Sequence, residues 1–574
     1  MLFKVGKSSF SIIAMDSTEF RRQFGERVTN FLVTLDASSN ESTSTRVSYG
    51  TAGFRGPAEK IRHLLFNVGI ICGLRSLHLD SRFCGLMITA SHNPIEDNGV
   101  KLVDSNGEML DPSWEGVVED FCNLSKPDEI TASFDKILGN ILDNLKSDIG
   151  SRQRIIIIGH DTRPSCKELV ARAKEGLRTL EPFVGFVDYG AVTTPILHYL
   201  VAESNKQNRS QPIPIDQYFY QLSVGLDDIF KDAKLCKRYN AQQLAVDCAN
   251  GVGYEAIKRM IQDHRIMKHL HVEPVNIGDG VLNHLCGADY VKTKGLPPIN
   301  CGNQSKRYAS MDGDADRIVY FYLTASGGDM NQLRLIDGDK IMSLYAIYLK
   351  DMLKKAGLDS RLTFGVIQTA YANGSSTEFL TDYLRLRVDT VDTGVKNLHN
   401  KALEYDLAVY FEANGHGTIW VSDEARTLIY EYAELNASAK HLKQLLQILV
   451  NYTGDAISNL LIVESILRHR DWSVVEWYDI YKDRPNSLIK VQVDDKDLIK
   501  TTNAGRTSLK PEGLQEAIDE MVRSCGLKAR CFVRPSGTEN VVRIYAEADD
   551  QQVADHLVAS VGERVRKLCK RHMS

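Results

Sequence analysis

"RIIIIGHDTRPSCKELVARAKEGL", residues Arg154–Leu177, decides the fold class. Its isoleucine run reads as a short buried strand, because β-branched side chains suit a pleated surface covered on both faces. Pro164 cannot extend a ladder and marks a turn. Ser165 is placed to cap a helical pattern that runs on to Leu177. "LAVDCANGVGYEAIKRMI", Leu244–Ile261, repeats the unit: a strand over Leu244–Cys248, a turn over Ala249–Gly253, and a helix carrying Ala256, Met260 and Ile261. Such strand-turn-helix units recur along the chain and predict an α/β protein.

At 574 residues there is room for about four domains of ~150 residues each. With 43% hydrophobic and 25% charged residues the composition is that of an ordinary globular protein, and 69 basic against 74 acidic side chains argue against a nucleic-acid partner. The eleven cysteines include no C-x-x-C pair and no Cys/His cluster at zinc spacing. Reduced thiols in a cytoplasmic protein are therefore expected, with Cys248 and Cys286 as small core residues. No apolar run approaches the ~20 residues of a membrane helix, so no membrane partner is expected. Residues 1–15, "MLFKVGKSSFSIIAM", faintly resemble a targeting segment, and Met15 is an alternative start. Asp16 with Glu19 then predicts a capped helix whose apolar face carries Phe20, Phe24, Val28, Phe31 and Leu32. A polar insertion is expected at 203–214 and a further break near 481–487.

Three loops ask for phosphate or metal. In "GLMITASHNP", Gly85–Pro94, Leu86–Ile88 reads as a buried strand, which leaves Ser91 at its tip. "DGDADR" places Asp312, Asp314 and Asp316 on alternate residues, and carboxylates so close need a cation or strong donors. An EF-hand would need glycine sixth and glutamate twelfth, where this chain has Arg317 and Leu323. Oxygen-only ligands suit Mg²⁺ instead. Arg534-Pro-Ser-Gly-Thr538, between two strands, offers amides around Ser536, Gly537 and Thr538, two hydroxyls, and the guanidinium groups of Arg534 and Arg543 to an anion. "FEANGHGT", where Glu412, Asn414 and His416 alternate with small residues, presents the Glu412 carboxylate and the Asn414 amide to sugar hydroxyls, and "DTGVK" adds Lys396. A phosphorylated Ser91 beside the aspartates would need Mg²⁺ between them, while the Arg534 loop gripped a second, unreactive phosphate. A substrate phosphorylated at one end, turned around, and dephosphorylated at the other describes a mutase.

"YGTAGFRG" (49–56), "TASHNP", "TTPILHYL" (193–200), "DGDADR", "EANGHG" and "RPSGTEN" together resemble the α-D-phosphohexomutase superfamily. "LNHLCGADYVK" (282–292) and "VIQTAYANGSST" (366–377) resemble its branch acting on an N-acetylated amino sugar. The resemblance implies four domains around a central cleft: a phosphoserine-loop domain over 1–190, a metal-loop domain over 191–322, a sugar-loop domain over 323–483, and a C-terminal α+β phosphate-loop domain over 484–574. Ser91 would be the phosphoserine. Asp312, Asp314 and Asp316 with Ser91 would hold one Mg²⁺. Glu412, Asn414, Thr393, Gly394 and Lys396 would meet the sugar, and Arg534, Ser536, Gly537, Thr538 and Arg543 the distal phosphate. Lys101 would be the general base with Arg55 as electrostatic support, and His92 would order the loop. The implied reaction converts N-acetylglucosamine 6-phosphate and 1-phosphate through a glucosamine-type 1,6-bisphosphate, feeding UDP-N-acetylglucosamine synthesis in a monomer or weak homodimer. Activity on glucose or mannose phosphates, or a non-catalytic sugar-phosphate binder, are the alternatives.

Overall fold

The computed structural model describes residues 22–30, 46–50, 52–144, 153–231, 236–325, 332–526, 528–536 and 540–569. Two compact units divide the chain. One comprises Met1–Ala90 and Ile95–Ile215; the other comprises Asp216–Ser574 together with the short loop Ser91–Pro94.

The first unit is built on a five-stranded sheet in the order Phe54–Pro57, Asp97–Val103, Phe83–Ile88, Arg154–His160, Val184–Ala191. The first two pairings are antiparallel and the last two parallel. Helices Leu65–His78 and Cys166–Arg178 contribute to one large apolar core with the isoleucine-rich strand. The helix after that strand starts at Cys166, as the turn chemistry predicts, but Ser165 makes no side-chain capping bond. Its hydroxyl accepts from Asn98 Nδ2 at 2.8 Å instead. Asp161 of the same turn accepts from Thr89 Oγ1 at 2.7 Å and from Arg163 N at 2.9 Å, which fixes the strand end leading to Ser91. Residues 22–30 are helical, with Phe24 and Val28 buried; Asp16, Glu19, Phe20, Phe31, Leu32 and the first fifteen residues lie outside the described residues.

The expected insertion at 203–214 is no insertion at its ends. Helix Thr194–Lys206 runs into it, Asn205 Nδ2 donates to the carbonyls of Phe83 (2.8 Å) and Ser105 (2.7 Å), and Ile213 is buried. Composition alone hides this, because an asparagine that ties down two carbonyls looks the same in sequence as one facing solvent.

The second unit holds three larger sheets. One runs Gln332–Ile336, Ile318–Thr324, Lys306–Met311, Gln243–Asp247, Val272–Val275, and so continues past residue 322. Another runs Arg387–Val391, Phe364–Thr369, Leu407–Phe411, Gly417–Val421. The third is antiparallel throughout, Asn486–Gln492, Val541–Glu547, Arg530–Pro535, and packs an apolar core with helices Leu514–Ser524 and Gln551–Leu568. Its buried Glu547 accepts from Arg530 Nε at 2.8 Å and from the amide of Gly374 at 3.1 Å, while Asn373 pairs its carboxamide with the backbone of Arg484. The "YANGSS" segment is thus the tie between two sheets. All eleven cysteines are free thiols, and Cys248 and Cys286 are buried. Among the described residues no helix is long and apolar enough to cross a membrane.

Candidate active site

Strand Phe83–Ile88 is buried along its whole length and ends three residues before Ser91. Ser91 itself is fully buried and adopts φ 54°, a left-handed conformation that costs a non-glycine residue about 1–2 kcal/mol. Its hydroxyl donates to Asp312 Oδ2 at 2.6 Å. The loop is held by Asn283, which lies in the "LNHLCGADYVK" stretch but has no role legible there: its Nδ2 donates to Ser91 O at 2.8 Å and to Asn93 O at 3.1 Å. His92, half-buried, sits between those two carbonyls in sequence. Gly313 is required here, since a Cβ would lie 2.7 Å from Ser91 O and 3.0 Å from Asn283 Nδ2.

The three aspartates follow strand Lys306–Met311 and are all buried, with one carboxylate oxygen from each lying within 4.8 Å of the others. Asp312 Oδ1 accepts the amides of Asp316 and Arg317 at 3.1 Å each. Burial, then Asp316 and Asp314, push the Asp312 carboxyl well above the usual range. Arg317 answers part of this charge at 3.8 Å from Asp312 and 3.7 Å from Asp316. Burial opposes its own charge, but Asp312, Asp316 and Glu412 outweigh that and raise its pKa. Excess negative charge on an all-oxygen donor set in a dry place fits a hard divalent cation such as Mg²⁺.

A second support lies behind this loop. The amide of Ala456, first residue of helix Ala456–Arg470, donates to Ala315 O at 3.0 Å, and Ala315 is itself left-handed at φ 57°. Asp455 caps that helix through the amides of Ile457 (2.9 Å) and Ser458 (3.2 Å) and accepts from Tyr218 Oη at 2.7 Å. The only sequence signal was an Asp-Ala-Ile-Ser start to a helix.

The sugar-loop residues join the metal loop directly. His416 Nδ1 lies 3.2 Å from Asp316 Oδ1, and Ile318 N donates to Gly415 O at 3.2 Å. Gly415, at φ 90°, brings its backbone so close that a Cβ would meet Ile318 O at 2.0 Å. Glu412 accepts from Gly394 N at 3.0 Å and from Asn414 Nδ2 at 3.2 Å, which brings Glu412, Asn414 and Gly394 together. Thr393 is half-buried beside them in sequence, and Lys396 is buried in the helix Val395–Ala402 that Gly394 opens.

Arg534 and Arg543 are direct cross-strand partners. Like charges so placed repel, and an anion between them relieves the repulsion. Tyr371 lies against both; burial raises its pKa while the two guanidinium groups oppose the rise. The amide of Ser536 is engaged with Val541 O at 2.8 Å, closing the hairpin, so this amide does not join the expected anion cradle. Gly537 and Thr538 lie outside the described residues.

Lys101 and Arg55 belong to the first unit. Arg55 pairs with Gly99 across antiparallel strands, so Arg55 and Lys101 emerge diagonally on one face of that sheet, Lys101 buried and Arg55 half-buried.

Family models match along the chain: phosphoglucomutase/phosphomannomutase alpha/beta/alpha domain I over 75–129, phosphoacetylglucosamine mutase AMG1 domain II over 209–319 and domain III over 337–472, and the phosphoglucomutase/phosphomannomutase C-terminal domain over 488–563. Human phosphoacetylglucosamine mutase is 44% identical over 533 residues, covering 91% of this chain and 94% of its own. The solved Aspergillus fumigatus N-acetylphosphoglucosamine mutase in complex with GlcNAc-6P and magnesium aligns with a TM-score of 0.85 at 36% identity, over 96% of this chain and 99% of that one. A variant of the same fungal enzyme in complex with glucose 1,6-bisphosphate aligns with a TM-score of 0.84 at 36% identity, over 96% and 99%. On likeness of this extent, over nearly its whole length, the chain belongs to the phosphoacetylglucosamine mutase family of the α-D-phosphohexomutase superfamily.

Proposed function

We propose that this chain interconverts N-acetylglucosamine 6-phosphate and N-acetylglucosamine 1-phosphate, with Ser91 as the phosphoryl carrier. The carrying observation is the Ser91 hydroxyl at 2.6 Å from Asp312, inside a buried trio of carboxylates. Support comes also from relatives whose complexes hold GlcNAc-6P with magnesium and glucose 1,6-bisphosphate.

In this reading the free C1 hydroxyl of the 6-phosphate attacks phosphorus on Ser91. The O–P bond to Ser91 Oγ breaks, the hydroxyl proton passes to Lys101, and the leaving Oγ takes a proton from solvent. The resulting 1,6-bisphosphate turns around, and Ser91 takes the 6-phosphoryl by the same chemistry in reverse. Arg534, Arg543 and Ser536, with Gly537 and Thr538, grip whichever phosphate is not reacting, so distant binding energy orients the hydroxyl. Glu412, Asn414, Thr393, Gly394 and Lys396 hold the ring, Arg55 lends charge, and His92 orders the loop. Mg²⁺ held by Asp312, Asp314, Asp316 and the Ser91 phosphoryl would neutralise charge on the moving group. The assignment of Lys101 rests on the order of motifs, "SHNP" followed by "NGVK". Eleven free thiols support a cytoplasmic location. Supply of the 1-phosphate to UDP-N-acetylglucosamine synthesis, and a monomer or weak homodimer with sugar phosphates as partners, complete the reading.

The test is a coupled assay on N-acetylglucosamine and glucose phosphates, with peptide mapping after incubation with the 1,6-bisphosphate. A higher kcat/KM for the acetylated sugar and phosphate on Ser91 are expected. Equal kcat/KM for both sugars, or an adduct on any other residue, would overturn it.

A further inference from the structure

We infer that Asn283 is a positioning residue for phosphoryl transfer: its carboxamide sets where the Ser91 hydroxyl points. The inference rests on Ser91 being the phosphoryl carrier. Ser91 is held in a left-handed conformation, whose cost hydrogen bonds to its loop must offset. Both hydrogens of Asn283 Nδ2 are used on this one loop, at 2.8 Å to Ser91 O and 3.1 Å to Asn93 O, so the carboxamide brackets His92 from both sides. A small shift of the Ser91 carbonyl would swing Oγ away from Asp312, and misplacement of about 1 Å costs about 100-fold in rate.

The clamp is itself rigidly mounted. Asn283 is left-handed at φ 58°, and its amide donates to Ala249 O at 3.0 Å. Ala249 N donates to Asp247 Oδ1 at 3.1 Å. Asp247 is fully buried and also accepts from Ser310 Oγ (2.5 Å), Asn276 Nδ2 (2.8 Å) and Gly287 N (2.7 Å). A saturated carboxylate at the end of the interior strand Gln243–Asp247, which pairs with the strand leading to the aspartates, thus anchors the turn that carries Asn283, and one sheet fixes both the aspartates and the serine they face.

Asn283→Asp keeps the shape, removes both donors and sets a carboxylate against two carbonyls; Asn283→Ala only removes the donors. Activity per titrated active site should fall in the order wild type, Ala, Asp, by about 10- to 100-fold for Asp. KM for N-acetylglucosamine 6-phosphate should stay within about twofold, because no sugar contact is lost. A purely structural role would lower the melting temperature and the titre of active sites but leave kcat per site unchanged, and that result would overturn the inference. Amide hydrogen exchange in peptides spanning 88–95 should speed up by about tenfold in Asn283→Ala. Unchanged exchange would overturn it regardless of turnover. A wild type inert on sugar phosphates, with exchange still altered by Asn283→Ala, would instead sink the proposed reaction and leave the clamp standing.

Discussion

Ser91 and Asp312 stand 221 residues apart in sequence, yet the serine hydroxyl donates to the aspartate at 2.6 Å. The acceptor is a carboxyl that two like-charged neighbours and complete burial make reluctant to ionise. The serine and the aspartate loop are therefore one electrostatic object: what neutralises the aspartates also governs the serine.

Neutralising one aspartate should act in opposite senses on stability and activity. Asp314→Asn removes a buried like charge, so the metal-free protein should melt about 2 °C higher. The same change removes a ligand oxygen and should lower kcat by about 100-fold or more. Differential scanning fluorimetry in chelator, paired with turnover at saturating Mg²⁺, reads both effects; a lower melting temperature in chelator would contradict the repulsion argument.

Gly415→Ala should separate the sugar loop from the metal loop. The new Cβ would lie 2.0 Å from Ile318 O on a backbone at φ 90°, a strain of about 2 kcal/mol or more. KM for the sugar phosphate should rise as Glu412 and Asn414 shift, with a fall in melting temperature. Kinetics equal to wild type would show that the close approach does not matter.

Asp455 gives a pH signature. Burial raises its pKa from 3.8 to about 6, against the lowering effect of Tyr218 and the amides of Ser458 and Ile457. A carboxyl raised on folding binds more protons folded than unfolded, so the Asp455 contribution to stability is fully present at low pH and is lost as pH rises from about 4 to 6. Asp455→Asn should abolish that decline. Urea titrations should show wild type losing on the order of 3 kcal/mol relative to the variant between pH 4 and 7. A difference independent of pH would refute the assignment.

Arg534→Ala should raise KM more than it lowers kcat, since it relieves the repulsion with Arg543 at the cost of grip on the unreactive phosphate. Steady-state kinetics at saturating Mg²⁺ decides this. An unchanged KM would remove Arg534 from that role.

The residues proposed to carry the chemistry could be picked out because their signals are local. Alternating aspartates after an apolar strand call for a cation or strong donors, and an arginine, proline, serine and glycine between two strands make a turn with anion-binding groups. The isoleucine run and its turn announced the α/β class in the same way, because side-chain period and proline geometry act over a few residues. What lay beyond reach was partner choice. Ser165 reads as a cap, but Asn98 takes its hydroxyl. The Ser536 amide reads as anion-binding, but Val541 takes it. Asn205 carries no pattern that separates it from a solvent-facing polar residue, Asp455 shows only a helix cap, and Asn283 lies in a family-like stretch that says nothing of what it binds.

The amino-acid sequence alone determined the class of fold, the family and the set of groups proposed to hold phosphate, metal and sugar. Only the tertiary structure decided which of those groups meet, and which unremarked side chains hold them in place. The physical reason is reach: a hydrogen bond depends on an approach of about 3 Å and an angle, and two loops far apart in the chain acquire both only when the sheets between them have packed.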